Sequence, residues 1–209
     1  MQYSTAFSDG VLVLACLASA WVLRRAFQGQ ALQRALLLGF GLPALAAFCG
    51  VMRYAIDPGW GPQHSAFSQM SSYLGLPLLG LAATSLSLGK TWSRATGTLA
   101  VLGLVGFLLA AQWLQVEPTY RLLLNLLTLL LIAFAGLRHW QRLGPPAAAL
   151  AVVGLFAVAG LVVGTQGFIG PLRRVDLFHA LLTLAYPLLA WLLLSLRTDA
   201  RAEIRVKTL

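Results

Sequence analysis

Residues 146–166 read PAAALAVVGLFAVAGLVVGTQ, a stretch of 21 residues without one charged side chain. An α-helix needs about 17 to 25 mainly apolar residues to cross a bilayer, and this stretch has that length and character. Short turns rich in glycine and proline separate it from similar stretches, as Gly144-Pro145 does on its amino side. The other apolar stretches are residues 10–27, 33–56, 66–89, 95–114, 119–137 and 175–196.

The apolar stretches together predict an all-α fold, an integral membrane bundle of about seven transmembrane helices. The bundle is expected to form a single domain over residues 1–197, followed by a short basic cytoplasmic tail at 198–209. Composition agrees, because 59% of the residues are hydrophobic and only 10% are charged, against about 25% charged in soluble domains. The net charge of +9 arises in the gaps between apolar stretches rather than on one folded face, so no nucleic-acid partner is expected.

The basic residues also predict an orientation. With the N-terminus outside, eleven of the fifteen lysines and arginines fall on the inner side, as the positive-inside rule requires. The C-terminus is then cytoplasmic, and a bacterial-type cytoplasmic (inner) membrane is the expected location. The residues predicted on the inner side are Arg24, Arg25, Arg34, Lys90, Arg94, Arg138, Arg142, Arg197, Arg201, Arg205 and Lys207.

Ionisable and hydrogen-bonding side chains collect at the opposite, outer ends of four predicted helices. Polar groups within a membrane are costly, so their clustering predicts a polar pocket that opens outward. A simpler interpretation stays open, in which the arginines and acids form interfacial ion pairs and the remaining groups finish helix ends. The residues are Arg53 and Asp57 in the second helix, His64, Ser68 and Ser72 in the third, Glu117, Arg121 and Asn125 in the fifth, and Asp176 and His179 in the seventh.

Glycines within the apolar stretches are expected to let helices approach one another closely. Gly160 and Gly164 form a small-xxx-small pair in the sixth predicted helix. The other glycines expected at helix contacts are Gly39, Gly41, Gly75, Gly80, Gly103 and Gly106.

Three segments resemble the seven-helix superfamily of alkaline ceramidases, adiponectin-receptor-like proteins and related membrane hydrolases. They are SDGVLVLACLASAWVLRR at 8–25, FCGVMRYAID at 48–57 and VDLFHALLTLAYPLL at 175–189. The resemblance implies a zinc ion held by histidines, with an Asp and a Ser nearby, that activates water for hydrolysis of an amide or ester in lipid. Asp176 and His179 match the family pattern, while Arg53 stands where some relatives have a histidine. Thr183 occupies the position of the second histidine of a His-x-x-x-His pair.

Three functions follow as hypotheses. The first is a metal-assisted lipid hydrolase with Asp57, Ser68 and Asp176 as catalytic residues and His64 and His179 as zinc ligands. The second is a protein that binds or transports a lipid or small anionic ligand, with Arg53, Glu117, Arg121 and Asn125 as the binding residues. The third is a structural membrane protein without catalysis. A haem held between His64 and His179 is a further alternative.

Overall fold

The protein is almost entirely helical. A computed structural model describes the backbone of residues 2–207 and the side chains of residues 2–197, and 84% of the chain is helix. The α-helices are α1 Tyr3–Ala26, α2 Leu32–Val51, α3 Gly61–Met70, α4 Leu76–Ser87, α5 Arg94–Trp113, α6 Glu117–Leu137, α7 Gly144–Ala157 and α8 Arg174–Lys207. π-Helical turns at Met52–Ile56, Ser71–Gly75 and Val158–Val163 extend α2, join α3 to α4 and extend α7.

Six helices are long and apolar enough to cross a membrane within the described part of the chain. Their bounds are Tyr3–Ala26, Leu32–Ile56, Arg94–Trp113, Glu117–Leu137, Gly144–Val163 and Arg174–Arg197. The continuous helical segment 61–87 is not among them. Half of its first ten residues, GPQHSAFSQM, are polar, whereas the part from Leu76 to Ser87 is as apolar as the other helices.

The first helix begins earlier than predicted. The apolar stretch that predicts this helix spans residues 10–27 and so begins after Asp9, whereas α1 begins at Tyr3. The Gln2 amide donates a hydrogen bond to the Tyr54 carbonyl at 3.0 Å, which fixes the start of α1 against the end of the second span. Asp9 consequently lies inside a membrane-length helix rather than in front of it.

The far end of the chain differs from the expected tail. Helix α8 continues without a break as far as Lys207, so the segment predicted as a tail at 198–209 starts as an extension of α8. Residues 208 and 209 of that prediction lie outside the described residues.

Close helix contacts depend on some of the predicted glycines. A Cβ added to Gly39 would lie 2.6 Å from the Leu79 side chain, and one added to Gly80 would lie 2.8 Å from Thr128. A Cβ added to Gly75 would lie 3.2 Å from the Gly39 carbonyl oxygen. The expectation is wrong for Gly41, Gly103, Gly106, Gly160 and Gly164, because a Cβ added there would have no neighbour within 4 Å.

The helices alternate in direction, so particular termini gather at one end of the bundle, here called the site end. The starts of α1, α3, α6 and α8 lie there with the ends of the second span and of Gly144–Val163. Helix α8 packs against α1, α4 and α7. Two short antiparallel strands, β1 Phe168–Ile169 and β2 Leu172–Arg173, form a hairpin before α8. Helix α5 is peripheral, since only Leu104 and Ala111 of its residues are buried.

Candidate functional site

A cavity of about 530 Å³ opens among the helices at the site end. Helices α1, α2, α3, α6 and α8 contribute to its wall together with the last turns of Gly144–Val163. The polar residues that line it are Asp9, His64, Ser68, Ser71, Ser72, Arg121, Asn125, Thr165, His179 and Tyr186. Its apolar wall includes Leu122, Leu126, Leu129, Phe156, Leu161 and Leu182. The space is therefore amphipathic, and its volume is in the range of small-molecule sites.

The centre of the site is a carboxylate paired with a histidine. Asp9 is 0% exposed and His179 is 6% exposed, and Asp9 Oδ1 lies 3.3 Å from His179 Nδ1. Ser8 Oγ lies 3.2 Å from the same nitrogen and 3.0 Å from the Thr5 carbonyl, to which it donates. Because Ser8 donates its own proton to Thr5, Ser8 Oγ accepts from Nδ1, so this arrangement favours the tautomer with the proton on Nδ1. His179 Nε2 is then left as the acceptor.

The burial of Asp9 in this position is energetically unfavourable. Neither of its oxygens receives an aligned hydrogen bond from any described residue, although His179 is within ion-pair distance. A buried carboxylate without full hydrogen bonding destabilises a fold, and the cost rises within a membrane. Such a group indicates a functional role rather than a contribution to stability.

Gly50 of α2 provides the space that Asp9 occupies. A Cβ added to Gly50 would collide with Asp9 Oδ2 and lie 2.7 Å from Asp9 Cγ. The carboxyl group therefore packs directly on the helix backbone, where every other residue type would displace it. Gly50 acts as a positioning residue for the Asp9–His179 pair.

His64 reaches the cavity from α3 and has a similar arrangement. Its Nδ1 donates to the Ala46 carbonyl at 2.8 Å, and its ring contacts Tyr54 edge to face, with centroids 6.1 Å apart. Both histidines thus have Nδ1 held by the protein, as metal-ligating histidines often do. A hydrolytic zinc ion needs about three protein ligands. Within residues 2–197 no three His, Cys, Asp or Glu side chains converge in a ligating group, so the residues described do not fit the zinc centre.

A second polar wall lies on the helical segment 61–87 and on α6. Asn125 Nδ2 donates to Ser72 Oγ at 2.8 Å and to the Arg121 carbonyl at 2.7 Å. Ser68 lies one turn before Ser72 and also lines the cavity. The ladder predicted from the sequence at Ser68, Ser72, Arg121 and Asn125 is thus brought together by the fold.

Other predicted site residues have different partners. Glu117 accepts a hydrogen bond from Tyr73, which stacks on Tyr120, and no ion pair joins Glu117 to Arg121 in the described side chains. Arg53 lies over the Tyr54 ring, 5.0 Å from its centroid.

Asp57 caps the following turn and Asp176 lies beside Ser8. Asp57 accepts from the Gly59 amide at 2.8 Å instead of pairing with an arginine. Asp176 Oδ1 is 3.5 Å from Ser8 Oγ. Neither Asp57 nor Asp176 lines the cavity, so neither would contact a ligand bound there.

The sequence prediction missed Ser8, Asp9 and Gly50. A signal for Asp9 was present, because it belongs to the buried face of α1. That face consists of Thr5, Asp9, Leu12, Cys16, Ser19 and Leu23, spaced alternately four and three residues apart. If the helix is continued back to Tyr3, this spacing places Asp9 on the face that packs against the bundle.

These features define a polytopic α-helical membrane protein with a buried acid–histidine pair on the wall of an amphipathic cavity. Residues 4–198 match the model of a family of unknown function, DUF6962, and the chain belongs to that family. No curated protein and no solved structure matches the chain.

Proposed function

We propose that the protein is an intramembrane hydrolase that cleaves an ester or amide bond in an amphipathic molecule held in the cavity. The observation that carries the proposal is the Asp9–His179 pair, buried in the membrane-length helices α1 and α8 and facing the cavity. No step of the proposed reaction passes through a metal ion.

In the proposed reaction His179 is the general base. Asp9 and Ser8 hold Nδ1 and its proton, so that Nε2 accepts a proton from a water molecule in the cavity. The water oxygen attacks the carbonyl carbon of the substrate, and the bond to the leaving group breaks. The imidazolium then returns its proton to the departing oxygen or nitrogen. The acyl product gains the hydroxyl group of water and the leaving group gains its hydrogen.

The pair gains its strength as a base from its surroundings. A carboxylate next to the imidazole favours the imidazolium that forms during proton transfer, and the effect is larger where water is excluded. Ser8 fixes the ring from the other side. Gly50 keeps the carboxylate at the distance where this interaction works.

Hydrolysis of p-nitrophenyl octanoate by the purified protein in lipid nanodiscs tests the proposal. Asp9→Asn and His179→Gln should each lower the rate by about 10²- to 10⁴-fold, the usual contribution of a general base. Thr5→Val is the matched control, because Thr5 is a buried polar residue of α1 whose hydroxyl has no hydrogen-bond partner among the described residues. An unchanged rate in both site variants would show that the pair is not catalytic.

We further propose seven spans, with the N-terminus outside and the C-terminus in the cytoplasm of a cell with a bacterial-type inner membrane. The support is the arginine-rich end opposite the site end and the length of the helical segment 61–87. If that segment crosses the bilayer, Gln63 and Lys90 lie on opposite sides. Gln63→Cys should react with a membrane-impermeant maleimide in intact cells, and Lys90→Cys only after permeabilisation. Equal labelling of both before permeabilisation would contradict the seventh span. Cys16 and Cys49 are buried and would contribute little background.

A further inference from the structure

Arg121 is a cation on the cavity wall without an acidic partner. Its neighbour one turn earlier, Glu117, is engaged by Tyr73 instead. Within the described side chains no carboxylate lies within ion-pair distance of Arg121, and Arg121 is one of the residues that line the cavity. A guanidinium offers five N–H donors, and it prefers carboxylate and phosphate oxygens.

Two serine hydroxyls extend the donor set beside Arg121. Ser72 Oγ accepts a hydrogen bond from Asn125, so its own proton stays available to a ligand. Ser68 lines the cavity one turn away, and its hydroxyl makes no hydrogen bond to another described residue. The Asn125–Ser72 hydrogen bond ties this part of α6 to the π-helical turn Ser71–Gly75. The wall therefore presents hydrogen-bond donors and one positive charge.

Leucines of α6 and of the last turns of Gly144–Val163 form an apolar border of the cavity at the site end. At the opposite end these helices touch, since a Cβ added to Gly136 would lie 2.7 Å from the Pro145 carbonyl oxygen. Leu122 is 47% exposed, Leu126 is 37% exposed and Leu161 is 61% exposed, although all three line the cavity. Their exposure favours a path from the cavity to the surface between the two helices.

We infer that the cavity binds a single-chain amphiphile, with its carboxylate or phosphate held by Arg121 and the serine hydroxyls and its hydrocarbon chain leaving between Leu126 and Leu161. This inference rests on the proposed hydrolase and names its substrate class, an acyl compound with an anionic group near the scissile bond. The apolar gap accepts the chain directly from the bilayer. The anionic group then lies in the same cavity as His179.

Binding of cis-parinaric acid tests the inference. This fluorescent fatty acid has one carboxylate, and parinaryl alcohol has the same chain without charge. In phosphatidylcholine nanodiscs, the anisotropy of the probe should give an affinity about tenfold to a hundredfold higher for the acid, as expected of a hydrogen-bonded charge. Arg121→Gln should abolish that preference and Arg121→Lys should keep part of it. Arg173→Gln is the control, because Arg173 lies at the same end but not on the cavity wall. Equal affinities in the wild-type protein would overturn the inference.

A second comparison tests the path of the chain. Leu126→Trp should block the gap and weaken parinarate binding about tenfold or more, whereas Leu127→Trp, at an exposed position off the cavity wall, should leave it unchanged. Millimolar inorganic phosphate should not displace parinarate. Equal effects of the two tryptophans would show that the chain does not use this gap, and displacement by phosphate would show that the site holds a free anion instead of an amphiphile.

The two proposals fail in different ways. His179→Gln should abolish hydrolysis of p-nitrophenyl octanoate and keep the preference for parinarate over the alcohol. A wild-type protein that prefers parinarate but hydrolyses no ester would refute the hydrolase and keep the anionic site. A protein that hydrolyses the ester without any preference for the acid would refute the anionic site alone.

Discussion

Replacing Gly50 with alanine tests the geometry of the site more directly than removal of its charged groups. The added methyl group would lie 2.7 Å from Asp9 Cγ, whereas carbon atoms normally approach to about 3.5 to 4.0 Å. The Asp9 carboxyl group must therefore move by about 1 Å. A displacement of that size in a catalytic group costs about 10²-fold in rate.

The expected change in stability combines two opposing effects. Overpacking costs about 1 to 3 kcal/mol, while alanine stabilises a helix interior relative to glycine by about 0.5 to 1 kcal/mol. Gly50→Ala should thus lower the free energy of unfolding by between about zero and 2.5 kcal/mol. Gly41→Ala is the matched control in α2, because a Cβ added there has no neighbour within 4 Å. It should be neutral or slightly stabilising and should leave the rate unchanged.

Thermal unfolding in nanodiscs and hydrolysis of p-nitrophenyl octanoate measure both effects. The same substitution in an Asp9→Ala background isolates the contact, because the methyl group then meets no carboxylate. Gly50→Ala should be harmless to stability in that background. The reasoning is refuted if Gly50→Ala behaves like Gly41→Ala in the wild-type protein, or if it destabilises equally with and without Asp9.

Two further substitutions test contacts that hold the bundle together. Tyr73→Phe leaves Glu117 without its donor and should destabilise the protein by about 1 to 3 kcal/mol in thermal unfolding. Tyr120→Phe should cost almost nothing, since that hydroxyl has no hydrogen-bond partner among the described residues; equal losses would contradict the assignment. Gly136→Ala forces α6 away from α7 and should destabilise by about 1 to 3 kcal/mol. Gly154→Ala, which meets open space, should not, and a stable Gly136→Ala variant would show that the close approach is dispensable.

The helical fold was predictable because every span needs enough consecutive apolar residues to cross the bilayer. Apolar length alone located each of the six membrane-length helices to within a few residues, except at the start of α1. The error there has a physical cause. Asp9 breaks the apolar pattern, yet its partner His179 lies on a helix that local sequence cannot connect to it.

The polar site was predictable only in part. The spacing of Ser68, Ser72, Arg121 and Asn125 indicated which side chains share a helix face, and the fold brings those faces together. Spacing could not determine partners between helices. An ion pair between Glu117 and Arg121 was one of the interpretations left open by the sequence, but Tyr73 of the adjacent segment donates to Glu117 instead.

Glycine roles were the least predictable feature. Gly39 and Gly41 are indistinguishable in sequence, yet only Gly39 faces a neighbouring helix closely. A glycine's neighbour depends on the rotation of the helix about its axis, which a uniformly apolar sequence leaves undetermined. Gly50 could be recognised only once Asp9 was placed against it.

The pairing of Asp9 with His179 also sets a condition on biogenesis. Ser8, next to Asp9, contacts a ring that lies 171 residues later in the chain. During synthesis α1 enters the membrane with its carboxyl group before α8 exists. Until α8 inserts, the acid must remain near the water boundary or be protonated, because an unpaired charge in lipid is costly. The site is therefore complete only when α1 and α8 meet, and a chain that stops before α8 leaves Asp9 without its histidine.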